Sequence, residues 1–173
     1  MSAAVKITLR TYSAADFEIL YKIDQACYPP DTAYSRSDMR AYLALAGAEC
    51  VVAEVSEDSS SAEKRKRGES GDTPKKIAGF CVSARREKDG YIVTMDVLEE
   101  HRRLGIATAL LAEIEKRLAA NGVVRVGLET ATDNQAGVAF WQKHGYRTRG
   151  VRKGYYPGRR DAHAMTKNLR ASK

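Results

Sequence analysis

The sequence predicts an α/β fold, a mixed sheet of about seven strands flanked by about four helices, in one domain spanning 1–173. Three observations predict it. β-branched apolar runs alternate with segments of helical period in the order βααβββαβαββ, which calls for helices packed on a mixed sheet. Ile106, Leu110, Leu111, Ile114 and Leu118 form one helical stripe, stopped by Asn121 and Gly122. The 173 residues, 43% hydrophobic and 29% charged, suit a globular domain that buries a core without staples.

In chain order, residues 6–9 alternate weakly and predict a short first strand. Ser13 opens a helix with Asp16 at capping-box spacing. Phe17, Leu20 and Ile23 share its inner face, and Pro29-Pro30 ends it by about Cys27. Ser35 with Asp38 starts a second helix carrying Met39, Tyr42, Leu43 and Ala46, up to Gly47. Strands are expected at 50–55, 77–84 and 91–97. Between the first two, residues 56–76 are polar, with Ser59-Ser60-Ser61 and Lys64-Arg65-Lys66-Arg67, and predict a mobile loop with nothing to bury. A buried strand at 123–128, a last helix at 134–144 closed by Gly145, and strands at 146–151 and 163–169 complete the layout.

Composition excludes several classes. Cys27, Cys50 and Cys81 are odd in number and far apart, offering neither a disulfide framework nor a CxxC metal or redox pair, so no metal is expected. No apolar run approaches a membrane span of about 18–20 residues, and the first ten residues lack the pattern of a signal peptide. A reduced, cytoplasmic protein without a membrane partner, monomeric or dimeric, is the expectation. Net charge is +7, unevenly placed: residues 145–173 hold nine Lys or Arg against Asp161, giving +8 and leaving −1 for the rest. Such a surface attracts an anion, whether a phosphorylated cofactor, an acidic peptide or a ribosomal surface, or serves solubility alone. Interleaved aromatics are limited to Tyr146, Tyr155 and Tyr156, so a nucleic-acid platform is not favoured.

The sharpest feature runs from Val93 to Ala107: a strand, a tight turn through Arg102, Arg103, Leu104, Gly105 and Ile106, then the long helix. A helix start carries N–H groups without intrahelical partners and a positive dipole end, a ready site for phosphate oxygens. Gly105 and Ala107 admit an anion to the backbone; Arg102 and Arg103 add charge. An ordinary packing turn is the alternative. A dinucleotide fingerprint starting at Gly105 fails at Ala107 and Leu110, and no Gly-Lys-Ser/Thr follows, so this is not a P-loop.

Arg102-x-x-Gly105-x-Ala107 after the fourth strand resembles the acyl-CoA pyrophosphate motif of the GNAT (Gcn5-related N-acetyltransferase) superfamily. Leu128-Glu129-Thr130, then Asp133-Asn134, then Phe140-Trp141 with Gly145-Tyr146 fit the elements that follow it in that family. Gly154-Tyr155-Tyr156-Pro157 and Asp161-Ala162-His163-Ala164-Met165 resemble the paired-tyrosine loop and last strand of N-terminal protein acetyltransferases, including the ribosomal-protein-alanine (RimI-like) branch. Pro29-Pro30-Asp31-Thr32-Ala33-Tyr34 is similar to their substrate loop. The resemblance runs from about Lys6 to Leu169 and implies a single-domain GNAT fold with a mostly antiparallel sheet.

By this resemblance the cosubstrate is acetyl-CoA, with CoA as product. Backbone groups near Asp96, Val97 and Leu98 would hold the pantetheine arm, and the turn from Arg102 to Thr108 the pyrophosphate. Asn134 takes a position that contacts the arm, or caps its own helix, or both. Glu129 is the implied general base, the alternative being a surface glutamate in a salt bridge. Pro30, Asp31, Tyr34, Tyr155 and Tyr156 would line the acceptor groove, with Asp31 a second candidate for binding or deprotonating the incoming ammonium, the alternative being a turn aspartate. Trp141, expected beside the cofactor, stands where many members carry a tyrosine that protonates the leaving thiolate, and indole cannot supply that proton. Either the thiolate leaves unprotonated, as a thiol pKa of about 8.5 allows, or Tyr146 or a groove tyrosine is the acid.

The expected reaction is direct attack of a neutral amine on the thioester. A chain-terminal amine, pKa about 7.7–8.0, is roughly a tenth neutral at pH 7; a lysine amine near 10.4 is neutral to less than about one part in a thousand. The acceptor expected is therefore a protein N-terminus, including that of a ribosomal protein. The alternatives are a small-molecule amine, which predicts a closed pocket, and a non-catalytic acyl-CoA-binding module.

Overall fold

The computed structural model describes residues 5–57 and 75–169. Residues 58–74, most of the segment expected to form the polar loop, lie outside the described residues. The elements are β1 (Val5–Thr11), α1 (Phe17–Cys27), α2 (Arg36–Leu43), β2 (Glu49–Glu57), β3 (Lys76–Arg86), β4 (Asp89–Val97), α3 (Ile106–Ala120), β5 (Arg125–Ala131), α4 (Gln135–Lys143), β6 (Arg147–Tyr156) and β7 (Arg160–Asn168). All seven strands form one sheet in the order β1-β2-β3-β4-β5-β7-β6. Every neighbouring pair is antiparallel except β4 and β5. The α/β class, the strand number and the mostly antiparallel sheet are those expected.

Local chemistry explains the helices. Ser13 and Asp16 make the reciprocal capping box, but a 3-10 turn at Ala14–Asp16 precedes α1, which starts three residues later than an N-cap at Ser13 suggests. The Ser35 hydroxyl accepts the Asp38 N–H at 3.1 Å and starts α2, which ends at Leu43, short of Gly47. The stripe of α3 is wholly inside: Ile106, Leu110, Leu111, Ile114 and Leu118 pack on Val51, Ala53, Cys81 and Ile92. A second core lies on the opposite sheet face, where Phe17, Leu20, Ile23 and Met39 cover Val52, Phe80 and Val82.

Several strand bounds differ from those expected. β5 begins at Arg125, because the Val123 N–H turns back to the Leu118 carbonyl and only alternate residues are buried. β6 runs on to Tyr156, so the paired tyrosines end a strand rather than stand in a loop. As the outermost strand it is exposed along nearly its whole length and has no apolar alternation to mark its end.

Candidate active site

The site begins where the sheet comes apart. β4 and β5 pair only through Asp89–Tyr91 against Arg125–Gly127. Beyond that point β4 stays with β3 and β5 with β7, so the two parallel strands diverge. The β4 edge from Ile92 to Val97 thus has no ladder partner on its β5 side, although backbone polar groups demand one. Part of that demand is met by side chains. The Val93 carbonyl accepts the Tyr34 hydroxyl at 3.2 Å, and the Val97 carbonyl accepts Arg102 Nε at 3.1 Å. The Leu98 N–H is already bonded to the Ala78 carbonyl at 2.9 Å. Asp96 can serve only through its backbone, since its side chain is buried and Oδ1 accepts Thr94 Oγ1 at 2.6 Å.

From the end of β4 the chain enters α3 through two left-handed residues, Arg103 at φ 62° and Gly105 at φ 84°. No atom lies within 4 Å of where a Cβ on Gly105 would stand. Glycine is there for its backbone conformation, and the approach to the helix start is open. The N–H groups of Ile106, Ala107 and Thr108 point out of the first turn without intrahelical acceptors. Arg102, Arg103 and Leu104 are exposed around them, while the buried Ile106 side chain anchors the turn in the core. Thr108 Oγ1 meets His144 Nε2 at 3.2 Å, tying this turn to the end of α4. Asn134 caps α4, its Oδ1 accepting the Gly137 N–H at 3.0 Å; a Cβ on Gly137 would sit 2.5 Å from the Asn134 amide. These groups fit a pantetheine arm beside β4 and an anionic pyrophosphate at the start of α3.

On the other face of the sheet the alternation of β5 turns Val126 and Leu128 into the α3 core and leaves Gly127 and Glu129 pointing the opposite way. The Glu129 side chain is 8% exposed and pairs with Arg152 Nε at 2.9 Å. Its other oxygen accepts the Tyr91 hydroxyl. Tyr91 Oη lies 3.4 Å from Tyr155 Oη, and the Tyr156 hydroxyl donates to the Glu129 carbonyl at 3.3 Å. Burial raises the pKa of Tyr34 and Tyr91, the Glu129 carboxylate adding to the rise at Tyr91. Tyr156 is pushed up to about 12, chiefly by burial. These hydroxyls therefore stay protonated at neutral pH: Tyr91 donates to the Glu129 carboxylate, Tyr34 and Tyr156 to main-chain carbonyls.

The loop after α1 closes the other side. Arg160 reaches from β7 to Thr32 Oγ1 at 2.5 Å, and Thr32 donates to Asp31 at 3.2 Å. The Tyr34 N–H is held by Asp24 Oδ2 at 2.8 Å. Pro30 and Asp31 are exposed at the rim. Tyr34, Glu129, Tyr155 and Tyr156 are thus gathered close together beside the β4–β5 divergence, with Pro30 and Asp31 exposed on the neighbouring loop.

Residues 17–146, well over half of the chain, match the Acetyltransferase (GNAT) family. This chain belongs to that family. An N-alpha-acetyltransferase of Saccharolobus solfataricus is 35% identical over 83 residues, 47% of this chain and 50% of that protein. The [ribosomal protein bS18]-alanine N-acetyltransferase of Escherichia coli is 29% identical over 93 residues, 52% of this chain and 63% of that one. The chain spans about half the length of the archaeal relatives it matches. Among solved structures, the ribosomal-protein-S18-alanine N-acetyltransferase from Escherichia coli superposes with a TM-score of 0.77 at 19% identity, over 97% of both chains. Arabidopsis thaliana NAA60 in complex with acetyl-CoA does so with a TM-score of 0.73 at 18% identity, over 95% of this chain and 99% of that one. At these identities the structures speak for the fold.

Within this GNAT fold two expected residues stand apart from the rest. Tyr146 is 1% exposed, and its hydroxyl donates to Glu115 Oε1 at 2.9 Å, a carboxylate that also holds Lys167. It belongs to the α3 core, on the sheet face opposite Glu129, and burial together with Glu115 raises its pKa. Its expected role as an acid is therefore corrected: the hydroxyl is enclosed and already committed. Trp141 packs edge-on against Phe140 at 5.1 Å and Tyr146 at 5.3 Å in the same core, 8% exposed, leaving little surface for a cofactor. Conversely, Tyr91 and Arg152 touch Glu129 and were not anticipated. Period-two reading places Tyr91 on β4, but its meeting with Glu129 depends on the register of β4 against β5.

Proposed function

We propose that this GNAT protein is an acetyl-CoA-dependent N-acetyltransferase whose acceptor is the α-amine of a protein N-terminus. The observation that carries the reading is Glu129, a nearly buried carboxylate ringed by Tyr91, Tyr155 and Tyr156 at an open groove, with the anion-binding start of α3 on the far side of the β4–β5 divergence. The names of the archaeal and Escherichia coli relatives support the N-terminal acceptor, a ribosomal protein among the candidates.

Acetyl-CoA supplies the activated acetyl thioester. Arg102, Arg103 and the N–H groups of Ile106, Ala107 and Thr108 would hold its phosphates, and the free edge of β4 its arm. Arg152 keeps a cation on Glu129 where an arriving ammonium is expected, and its side chain is 60% exposed and free to yield. The amine then loses its proton to Glu129, directly or through the Tyr91 hydroxyl, which donates to Glu129 as it accepts from the amine. The neutral amine attacks and the thiolate leaves without a dedicated acid. A small-amine acceptor calls for a closed pocket, whereas Tyr155 is 45% exposed and Pro30 and Asp31 form an open rim.

The test is an endpoint assay with acetyl-CoA and peptides beginning Ser, Ala, Met or Gly, each with an internal lysine. Free thiol reports turnover, and fragment masses locate the acetyl group. Acetyl on the α-amine is expected. Transfer to small amines alone, or CoA binding with no transfer, would overturn the reading.

A further inference from the structure

α1 packs over β3 and β4, and α2 over β3, on the Glu129 face, beside an open floor of β5 and β7. A cavity of about 490 Å³ remains there, and it starts at Tyr91, the residue that touches Glu129. Its floor is Gly127 and Thr166, paired across β5 and β7. Gly127 stands two residues before Glu129 on the same face, so the floor beside the carboxylate is bare of side chain. Leu45 and Ala46, just past α2, form one wall.

The far rim is basic. Arg85, Arg86 and Arg125 line it with Asp89 as the one acid. Arg125 pairs with Asp89 at 3.0 Å. Arg149 reaches the floor from β6, its Nε donating to Thr166 Oγ1 at 2.9 Å. Among the described residues Arg85, Arg86 and Arg149 meet no carboxylate, and Arg85 and Arg86 are exposed. The basic cluster thus sits at one end of an open channel whose other end is Tyr91, the residue hydrogen-bonded to the Glu129 carboxylate.

We propose that this channel carries the acceptor peptide beyond its first residue and selects acidic side chains at about its fourth and fifth positions. The reading rests on the N-terminal acetyltransferase function proposed above. The distance fits: Glu129 to Arg125 is four residues of strand, about 13 Å, and an extended peptide advances about 3.3 Å per residue. A peptide with its α-amine at Glu129 therefore brings its fourth and fifth side chains level with Arg85, Arg86 and Arg125. Exposed pairs of this kind contribute modestly and are screened by salt, so the selection is one of several-fold rather than all-or-none.

The experiment compares peptides identical except at positions four and five, which carry Asp, Ala or Lys. For the native protein at low salt kcat/KM is expected to fall from Asp to Ala to Lys, by about tenfold across the series, and the spread to shrink in 0.5 M salt. In the double variant Arg85→Gln, Arg86→Gln the Asp-to-Lys ratio should approach one; because the ratio is read within each protein, a general loss of activity cancels. Equal acetylation of all three peptides by the native protein, or a ratio that survives in the double variant, overturns this inference and leaves the acetyltransferase reading intact. Acetylation of small amines but of no peptide overturns both.

Discussion

Glu129 shows how much one side chain's role depends on what lies across from it. Its position between Leu128 and Thr130, five residues before Asn134, is legible in the sequence through the family motif. Its environment is not. Tyr91 and Arg152 reach it from strands 38 residues upstream and 23 downstream, through registers that no local pattern encodes. The carboxylate sits in a salt bridge with Arg152 and is nearly buried. Glu129→Gln keeps the shape and removes the base. At pH 7 it should lower kcat by about 10²–10⁴-fold, with CoA affinity unchanged by equilibrium titration. The deficit should narrow toward pH 9, where an α-amine of pKa about 7.7–8.0 is already neutral and needs the base less. Equal rates of the variant and the native protein at pH 7 would remove Glu129 from the chemistry. The resemblance leads one to expect a tyrosine where Trp141 stands, and Tyr146 cannot take its place because it faces the opposite core.

At the level of elements, the start of α3 is the part most fully written in the sequence. The apolar stripe fixes which face is inside, and Gly105 marks the left-handed residue that reverses the chain into the helix. Because a Cβ there would meet nothing, the two demands on Gly105 can be separated by mutation. Gly105→Ala meets only the conformational penalty of a left-handed L-residue, roughly 1–2 kcal/mol, and should lower the melting temperature by a few degrees with CoA still bound. Gly105→Glu adds a negative charge facing the helix start and should also weaken CoA binding by about tenfold or more, as when a charge-assisted hydrogen bond is lost. If both variants bound CoA equally, the phosphates would not lie at this turn. β6 was the least legible element. A strand is expected at 146–151, but Arg147–Tyr156 is mostly exposed and basic and its register against β7 shifts twice, so neither burial nor alternation announces where the strand ends.

Across the whole molecule, strand and helix number followed from the alternation of periods, but the insertion of β7 between β5 and β6 did not. Nor did the sequence distinguish exposed acids from the pair that the assembled layers bury. Asp24 on α1 and Asp96 on β4 are 0% and 1% exposed, and each has one oxygen, Oδ1 and Oδ2 respectively, without a partner. They face each other between helix and sheet, with Thr94 and Tyr28 against Asp96, Gln25 and the Tyr34 N–H against Asp24, and Cys27 nearby. Burial pushes the Asp96 carboxyl up to about 7, Thr94 opposing and Asp24 adding to the rise, and burial raises Asp24 as well. An unfolded aspartate titrates near 3.9, so between about pH 4 and pH 7 the native state holds a proton that the unfolded chain has lost. Stability from this pair is fully present below that window and falls as pH rises through it. Asp96→Asn, which makes the neutral form permanent, should flatten the profile and melt above the native protein at pH 8, each kcal/mol recovered appearing as roughly 2–4 °C. Thermal melts of both proteins from pH 5 to pH 8 decide it: parallel profiles would mean that the two carboxyls share no proton. Because Asp24 also holds the Tyr34 N–H, the same ionisation bears on the loop after α1, which the proposed function assigns to the acceptor. The native KM for a peptide should therefore rise above pH 7 more steeply than that of Asp96→Asn, linking the proton held between the layers to the groove at their edge.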